Sequence, residues 1–409
     1  MNYPMGSKTD VLLTYHQEVE LTINDITNLG IGVGRINNWV VMVPFVLIGE
    51  TVKARIFKNH SNYSEADLIE VLDPSPDRAV PYCKLFTQCG GCQYQHINYN
   101  AQIELKTRNV EYLIDKLIEH PIDAIVSRAI GSPQIYNYRS KITPHFQKKR
   151  NEKNIREIGF LRYGRRSQIV DVEECSIAMK AINERLSTER FRIRQNSIGR
   201  KKSKGGTLLL RAALEGVQTD PKEVITELVG KKSYQFKAGD FFQNNPYILP
   251  VFVNYIISQA KGNRFLVDAY CGSGLFTIAG SDVFENCLGI EVNSSAVQWA
   301  ENNALINGLK NTKFQIGQAQ KIFDNIIFSS TETTVIIDPP RKGCDREFLE
   351  QLKQFSPNKI VYVSCDPATQ ARDLNILLEC KYTVIAIQPF DLFPHTRHIE
   401  NVITLLHHP

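Results

Sequence analysis

The chain has 409 residues, of which 43% are hydrophobic and 22% charged, with a formal net charge of +5 and no low-complexity tract. That composition excludes a disordered or fibrous protein and leaves room for two or three domains, each with its own core. Apolar runs such as Trp39–Ile48 are short and broken by proline or glycine, so none is expected to span a bilayer. No basic-then-apolar leader opens the chain, which points to the cytoplasm. A modest positive charge permits a polyanionic partner without requiring one.

Residues 1–75 are expected to form an OB-like β-barrel. Val19–Ile23, Trp39–Pro44, Thr51–Phe57 and Glu65–Val71 are rich in β-branched residues, and turn-formers separate them, notably Leu29-Gly30-Ile31-Gly32-Val33-Gly34. Such barrels commonly present loops to oligonucleotides. Asp73-Pro74-Ser75-Pro76-Asp77 reads as a linker to a small α/β central domain over 76–235. There a helix is expected over Ala101–Ile118, and strands over Ile142–Phe146, Ile158–Leu161 and Leu208–Ala212. The cations cluster in the same region, in Lys148–Arg150, Arg162–Arg166 and Arg200–Lys204, as either solvated surface or a nucleic-acid footprint. Tyr136-Asn137-Tyr138-Arg139-Ser140-Lys141 mixes aromatics with cations, which fits an RNA surface or an ordinary strand edge.

From 236 to 409 strands and helices alternate, the signature of a doubly wound α/β domain with a parallel sheet. Strands are expected at Arg264–Ala269, Cys287–Glu291, Val335–Asp338 and Lys359–Ser364, and helices at Leu275–Ala279 and Ser294–Asn307, the latter with a serine cap. Pro367 suits the first turn of a further helix. Tyr382–Pro389 and Ile399–Leu406 read as closing edge strands.

Val267-Asp268-Ala269-Tyr270-Cys271-Gly272-Ser273-Gly274 is a strand running into a glycine turn that opens a helix, where backbone can approach a ligand closely. Thr277 stands where the dinucleotide fingerprint has its third glycine, which disfavours NAD. Glu291 ends the next strand, placed for ribose hydroxyls. An acid at the first strand end, two glycines, then an acid at the second strand end is the pattern of S-adenosylmethionine enzymes. Two further strand ends face the same edge: Asp338-Pro339-Pro340-Arg341-Lys342-Gly343 and Ser364-Cys365-Asp366-Pro367. An Asp-Pro-Pro segment alone also fits methylation of an exocyclic amine. Cys365 discriminates: carbon 5 of a pyrimidine is a poor nucleophile until a thiolate adds to carbon 6, and a base must later remove the carbon 5 proton.

On these segments, with Phe241-Phe242-Gln243-Asn244-Asn245 and His398-Ile399-Glu400-Asn401-Val402, the chain resembles the RNA (uracil-5-)-methyltransferases over almost its whole length. The resemblance implies a class I, Rossmann-like methyltransferase domain and an N-terminal TRAM-like barrel that contacts RNA. It implies that Gln243, Tyr270, Glu291 and Asp338 contact S-adenosylmethionine, that Cys365 is the nucleophile, and that Glu400 abstracts the proton. Many members carry asparagine shortly after the second glycine, where this chain has Leu275, so one cofactor contact is in doubt.

Cys83, Cys89 and Cys92 form C-x5-C-x2-C, and Cys175 stands alone downstream. Four thiolates suit zinc or an iron–sulfur cluster. The Cys-Gly-Gly-Cys core resembles the family's iron–sulfur branch, which implies a [4Fe-4S] cluster on these four. Barrel and cluster together resemble the branch acting on 23S ribosomal RNA, so ribosomal RNA is favoured over the transfer-RNA T-loop. A non-catalytic RNA-binding protein and a cytosine or DNA methylase are the competing readings. No obligate protein partner is evident.

Overall fold

The computed structural model describes residues 13–148, 154–197, 205–317, 322–323 and 326–408. They divide into two compact units, Met1–Asn109 with Leu161–Val170 and Pro394–Arg397, and Val110–Phe160 with Asp171–Phe393 and His398–Pro409.

In the first unit Glu18–Ile26 (β1), Ile31–Ile36 (β2), Trp39–Pro44 (β3), Thr51–Asn59 (β4) and Tyr63–Asp73 (β5) close a barrel in the order β1-β2-β3-β5-β4. Alternating Val19, Leu21 and Ile23 of β1 point inward with Val41, Val43, Val52, Ala54 and Ile56, so period-two patterning builds the core. The glycine-rich stretch expected as a turn is largely the strand β2. Its glycines are there for packing: a Cβ on Gly32 would collide with Val46, and one on Gly34 would sit 2.6 Å from both Leu21 and the Thr22 carbonyl.

Tyr99–Leu117 (α1) is followed by short strands, Lys141–Ile142 (β6), His145–Phe146 (β7), Ile158–Arg162 (β8) and Arg165–Asp171 (β9), then the helix Lys180–Ser197 (α2). Gly206–Thr207 (β10), Leu210–Ala213 (β11) and Gly216–Gln218 (β12) lead to a hairpin, Val224–Val229 (β13) and Lys232–Lys237 (β14). The segment 136–141 is not an exposed aromatic–cation face. Tyr138 is fully buried, and Lys141 Nζ donates to the carbonyls of Gly239 and Asp240. The basic runs Lys148–Arg150 and Arg200–Lys204 lie partly or wholly outside the described residues, as does the side chain of Arg166.

The rest of the chain is the α/β domain: Leu249–Ala260 (α3), Phe265–Asp268 (β15), Leu275–Gly280 (α4), Asn286–Glu291 (β16), Ser294–Ile306 (α5), Thr312–Ile316 (β17), Thr333–Ile337 (β18), Arg346–Phe355 (α6), Lys359–Ser364 (β19), Pro367–Leu378 (α7), Tyr382–Phe390 (β20) and Glu400–His407 (β21). The sheet runs β17-β16-β15-β18-β19-β21-β20, parallel through β19 and antiparallel at β21. β15 is fully buried beyond its first residue and β18 throughout, as central parallel strands require. Phe252 and Ile256 of α3 pack with Leu266, Val361 and Val402 of the sheet in one cluster. Strand order reverses between β15 and β18, the switch point where open sheets bind ligands. Among the described residues no helix is long and apolar enough to cross a membrane.

Two expectations need correction. The cap of α5 is Asn293, whose side chain accepts from Ser295 N and Ala296 N; no serine caps it. And β21 is not an edge strand: it is paired to β19 on one side and β20 on the other, and Glu400–Leu405 are buried almost without interruption.

Candidate active site

Every proposed cofactor-binding and catalytic side chain lies in the second unit, and five of the six sit along one edge of the sheet. Parallel pairing aligns Asp268 with Gly289 and with Ile336, and Ile337 with Tyr362. The carboxyl ends of β15, β16, β18 and β19 therefore open together on the same side, and each contributes one residue: Asp268, Glu291, Asp338 and Cys365. Because β21 runs antiparallel, its beginning lies at that same edge. Ser364 pairs with Asn401 as the last pair of that ladder, so Cys365 and Glu400 follow at the same edge. The Glu400 charge acts on the Cys365 thiol.

The cofactor turn is built around Asp268, which is fully buried. Its Oδ2 accepts from Thr277 N at 3.0 Å and Thr277 Oγ1 at 2.8 Å. That is why threonine stands in place of the third glycine: it neutralises hydrogen-bond demand beneath the turn. Oδ1 lies buried without a hydrogen-bond partner, although the Tyr270 N–H still acts on the carboxylate. Burial pushes Asp268 up to about 7, with the charge of Glu291 adding to it. Burial and the Asp268 charge likewise push Asp338 up to about 7. Gly274 adopts φ +93 and donates its N–H to the Cys271 carbonyl at 2.8 Å. A Cβ there would lie 3.0–3.3 Å from Ile278, Ala300 and Phe314, whereas one on Gly272 would meet nothing within 4 Å. The turn is closed behind Gly274 and open at Gly272.

Glu291 ties the turn to the next strand end, accepting from Gly272 N at 3.2 Å and Asn293 N at 2.9 Å. Buried Asn303 of α5 bonds the Ser273 carbonyl and both backbone groups of Gln235. β14 thereby anchors the loop that carries Gln243, itself buried, while neighbouring Phe241 is 79% exposed. The Tyr270 ring packs edge-on against Phe348 at 5.3 Å. Leu275 points into the core and is buried, and its carbonyl accepts from Tyr234. It supplies no polar contact to a ligand.

An adenosyl sulfonium fits this constellation. Two raised carboxyls, Asp268 and Asp338, with a buried and unpartnered Oδ1, offer negative charge that a cation would draw out. The glycine turn leaves room beside them.

At the catalytic end, burial pushes the Cys365 thiol up to about 12, followed by the charges of Glu400 and Asp338; the Arg341 charge opposes them. Glu400 is buried, and burial followed by the Asp338 charge raises it well above the usual carboxylate range, again against Arg341. A half-buried thiol, a buried carboxyl and an exposed arginine act on one another here. Sequence reading placed Glu400 at an exposed edge and did not single out Arg341; its only signal was its position directly after Asp-Pro-Pro.

The four upstream cysteines are different. Cys83, Cys89 and Cys92 follow β5 in the first unit, where the Gly91 N–H donates to Cys89 Sγ at 3.4 Å. Gly90 has a packing reason, since its Cβ would lie 3.1 Å from the Leu161 carbonyl. Cys175 belongs to the second unit, its N–H donating to Asn183 Oδ1. Among the described residues no group of three or more His, Cys, Asp or Glu is placed to hold a metal. The geometry gives the expected cluster no support, and no chemistry is assigned to it.

Comparison with known proteins gives the family. Residues 173–408 match the family described as tRNA (Uracil-5-)-methyltransferase, and residues 14–69 match the TRAM domain. The tRNA (uracil(54)-C(5))-methyltransferase of Schizosaccharomyces pombe is 41% identical, covering 95% of this chain and 78% of the relative. The Saccharomyces cerevisiae protein of the same name is 34% identical, covering 97% and 75%. Among solved structures, a Pyrococcus abyssi tRNA (uracil-54, C5)-methyltransferase in complex with S-adenosyl-L-homocysteine shares the fold, with TM-score 0.73 at 24% identity over 95% of this chain and 100% of that one. The chain belongs to the tRNA (uracil-5-)-methyltransferase family of S-adenosylmethionine-dependent RNA methylases and carries a TRAM domain.

Proposed function

We propose that the chain methylates carbon 5 of uridine 54 in transfer RNA. The observation that carries the chemistry is that Cys365, just after β19, and buried Glu400, at the start of β21, meet at one edge of the sheet, where the Glu400 charge acts on the thiol. The Cys365 sulfur forms a bond to carbon 6, and the ring electrons move toward the carbon 4 oxygen. When bound, S-adenosylmethionine supplies a methyl group on a sulfonium; carbon 5 takes it as the sulfur–methyl bond breaks. Glu400 then removes the carbon 5 proton, and that electron pair expels Cys365 from carbon 6. The raised affinity of Glu400 for a proton suits it to hold one after transfer. Gln243, Tyr270, Glu291 and Asp338 surround the cofactor, and the 1–75 barrel binds RNA, with 76–235 joining it to the catalytic domain of 236–409.

Transfer RNA replaces the ribosomal preference drawn from the barrel and cysteines, because both yeast relatives are named for uridine 54 of transfer RNA. A [4Fe-4S] cluster on Cys83, Cys89, Cys92 and Cys175 rests on the family resemblance alone, and no step passes through it. Iron and sulfide analysis of protein prepared without oxygen decides that point: a brown, iron-bearing protein supports the cluster, a colourless one removes it.

Trapping tests the mechanism. In 5-fluorouridine RNA the fluorine replaces the departing proton, so the enzyme should stall as a covalent adduct, and Cys365→Ser should form none. With the thiol pushed up to about 12, adduct formation should quicken about tenfold per pH unit between about pH 7 and 9. A wild type that binds RNA and cofactor yet forms no adduct would leave a binding protein as the better reading.

A further inference from the structure

α7 begins directly after Cys365, with Asp366 capping it through Ala368 N and Thr369 N. Its inward face then bonds both strands with an end at the site, β19 and β21. Gln370, fully buried, donates to the carbonyls of Tyr362 and Asn401, and Asn401 donates back at 2.7 Å, next to Glu400. One turn on, Asp373 is 1% exposed and uses all its capacity on the other side. Oδ2 accepts from Cys344 N and Tyr362 Oη, both at 2.7 Å; Oδ1 accepts from Arg372 Nε at 2.9 Å and an Arg372 terminal nitrogen at 2.6 Å. Arg372 also donates to the Lys342 carbonyl at 2.9 Å, and Thr369 Oγ1 to the Arg341 carbonyl at 3.2 Å.

The turn so clamped is Arg341-Lys342-Gly343-Cys344. It is tight: Gly343 has φ +79 and donates to the Pro340 carbonyl, and a Cβ there would lie 2.5 Å from Arg372 and 2.6 Å from Asp373. Arg341 is the first residue of this turn, exposed as a whole, yet its positive charge acts on the Cys365 thiol. A long, rotamer-rich side chain holds one direction only where its backbone is fixed. We propose that Asp373 is a positioning residue: it fixes the 341–344 turn, and so aims the Arg341 guanidinium at the Cys365 sulfur, where it favours the thiolate that attacks uracil.

The proposal rests on Cys365 being the nucleophile. The charged groups facing that sulfur are Arg341 and Asp338, from the loop after β18, and Glu400, from β21. Of these three charges only Arg341 favours the anion, so its placement bears directly on the balance.

The test is a double-mutant cycle in the full chain. Asp373→Asn keeps the shape and removes the charge; Arg341→Ala removes the guanidinium. The rate of covalent trapping on 5-fluorouridine RNA is measured across pH, with S-adenosylmethionine affinity in parallel. Each single variant should slow trapping near pH 7 about tenfold and move its pH dependence about one unit alkaline, with cofactor affinity held. In the Arg341→Ala background, Asp373→Asn should add nothing, because both act through one guanidinium. An equal slowing in that background, or Asp373→Asn trapping as fast as wild type, would overturn the proposal. Should Asp373→Asn not fold, Tyr362→Phe replaces it in the same cycle, since it removes one donor and leaves the carboxylate. Absence of any adduct in the wild type would overturn the nucleophile itself, a result that no variant is needed to recognise.

Discussion

Replacing Asp268 by asparagine should stabilise the cofactor-free protein at neutral pH while weakening cofactor binding. The carboxyl is wholly buried, and burial lifts it from an ordinary 3.8 to about 7, the Glu291 charge adding to the lift. A carboxyl raised in the folded state binds its proton more tightly there than in the unfolded chain. Its contribution is therefore fully present below about pH 4 and is lost as pH climbs through about 7. The difference in proton affinity is roughly a thousandfold, so on the order of 4 kcal/mol drains away across that window. Asparagine has no such titration, and its side-chain oxygen can still accept from Thr277 N and Thr277 Oγ1, which hold Asp268 now. Denaturant unfolding of the cofactor-free protein at intervals from about pH 5 to 8 reads the effect. Asp268→Asn should gain on wild type as pH rises and level off above about 7. In the same window wild-type affinity for the S-adenosylmethionine cation should strengthen, whereas the variant should bind weakly and without pH dependence. A stability difference that stays constant with pH would refute the reasoning, because it would mean that Asp268 is ionised throughout.

Two further outcomes follow from single residues. Phe241 is 79% exposed beside buried Gln243, an arrangement suited to stacking on a base drawn out of the RNA. Phe241→Ala should weaken RNA binding by about 1–3 kcal/mol, read by titration with labelled transfer RNA, and leave cofactor affinity alone. Gly274→Ala places a Cβ at φ +93 against Ile278 and Ala300. It should cost about 1–3 kcal/mol in unfolding and lower S-adenosylmethionine affinity; Gly272→Ala, at φ +52 but with open space at its Cβ, carries the backbone strain without the clash and should cost less.

Much of the site was legible because parallel strands end where their apolar runs end. Asp268, Glu291, Asp338 and Cys365 each follow such a run, and the alternation of strand and helix puts those ends on one edge. Glu400 was not legible as a buried acid. Its strand is inserted antiparallel between β19 and β20, a pairing of distant segments that no local pattern encodes, although the mostly apolar run Val402-Ile403-Thr404-Leu405-Leu406 is what an interior strand carries. The Gly30–Gly34 stretch misled for a related reason. Glycine marks a turn or a crowded strand, and only the barrel's closure, with Val46 and Leu21 pressing on β2, decides which. Asp373 carried no signal at all, since a buried acid in a helix looks like a surface acid until its four donors are seen.

Methyl transfer from labelled S-adenosylmethionine into RNA lacking 5-methyluridine, with transfer RNA and ribosomal RNA offered separately, tests the central claim most directly. Label recovered as 5-methyluridine at position 54 of transfer RNA, and lost in Cys365→Ala, is the expected result. Label confined to ribosomal RNA would contradict the substrate, and no label in either, with cofactor bound, would contradict the activity.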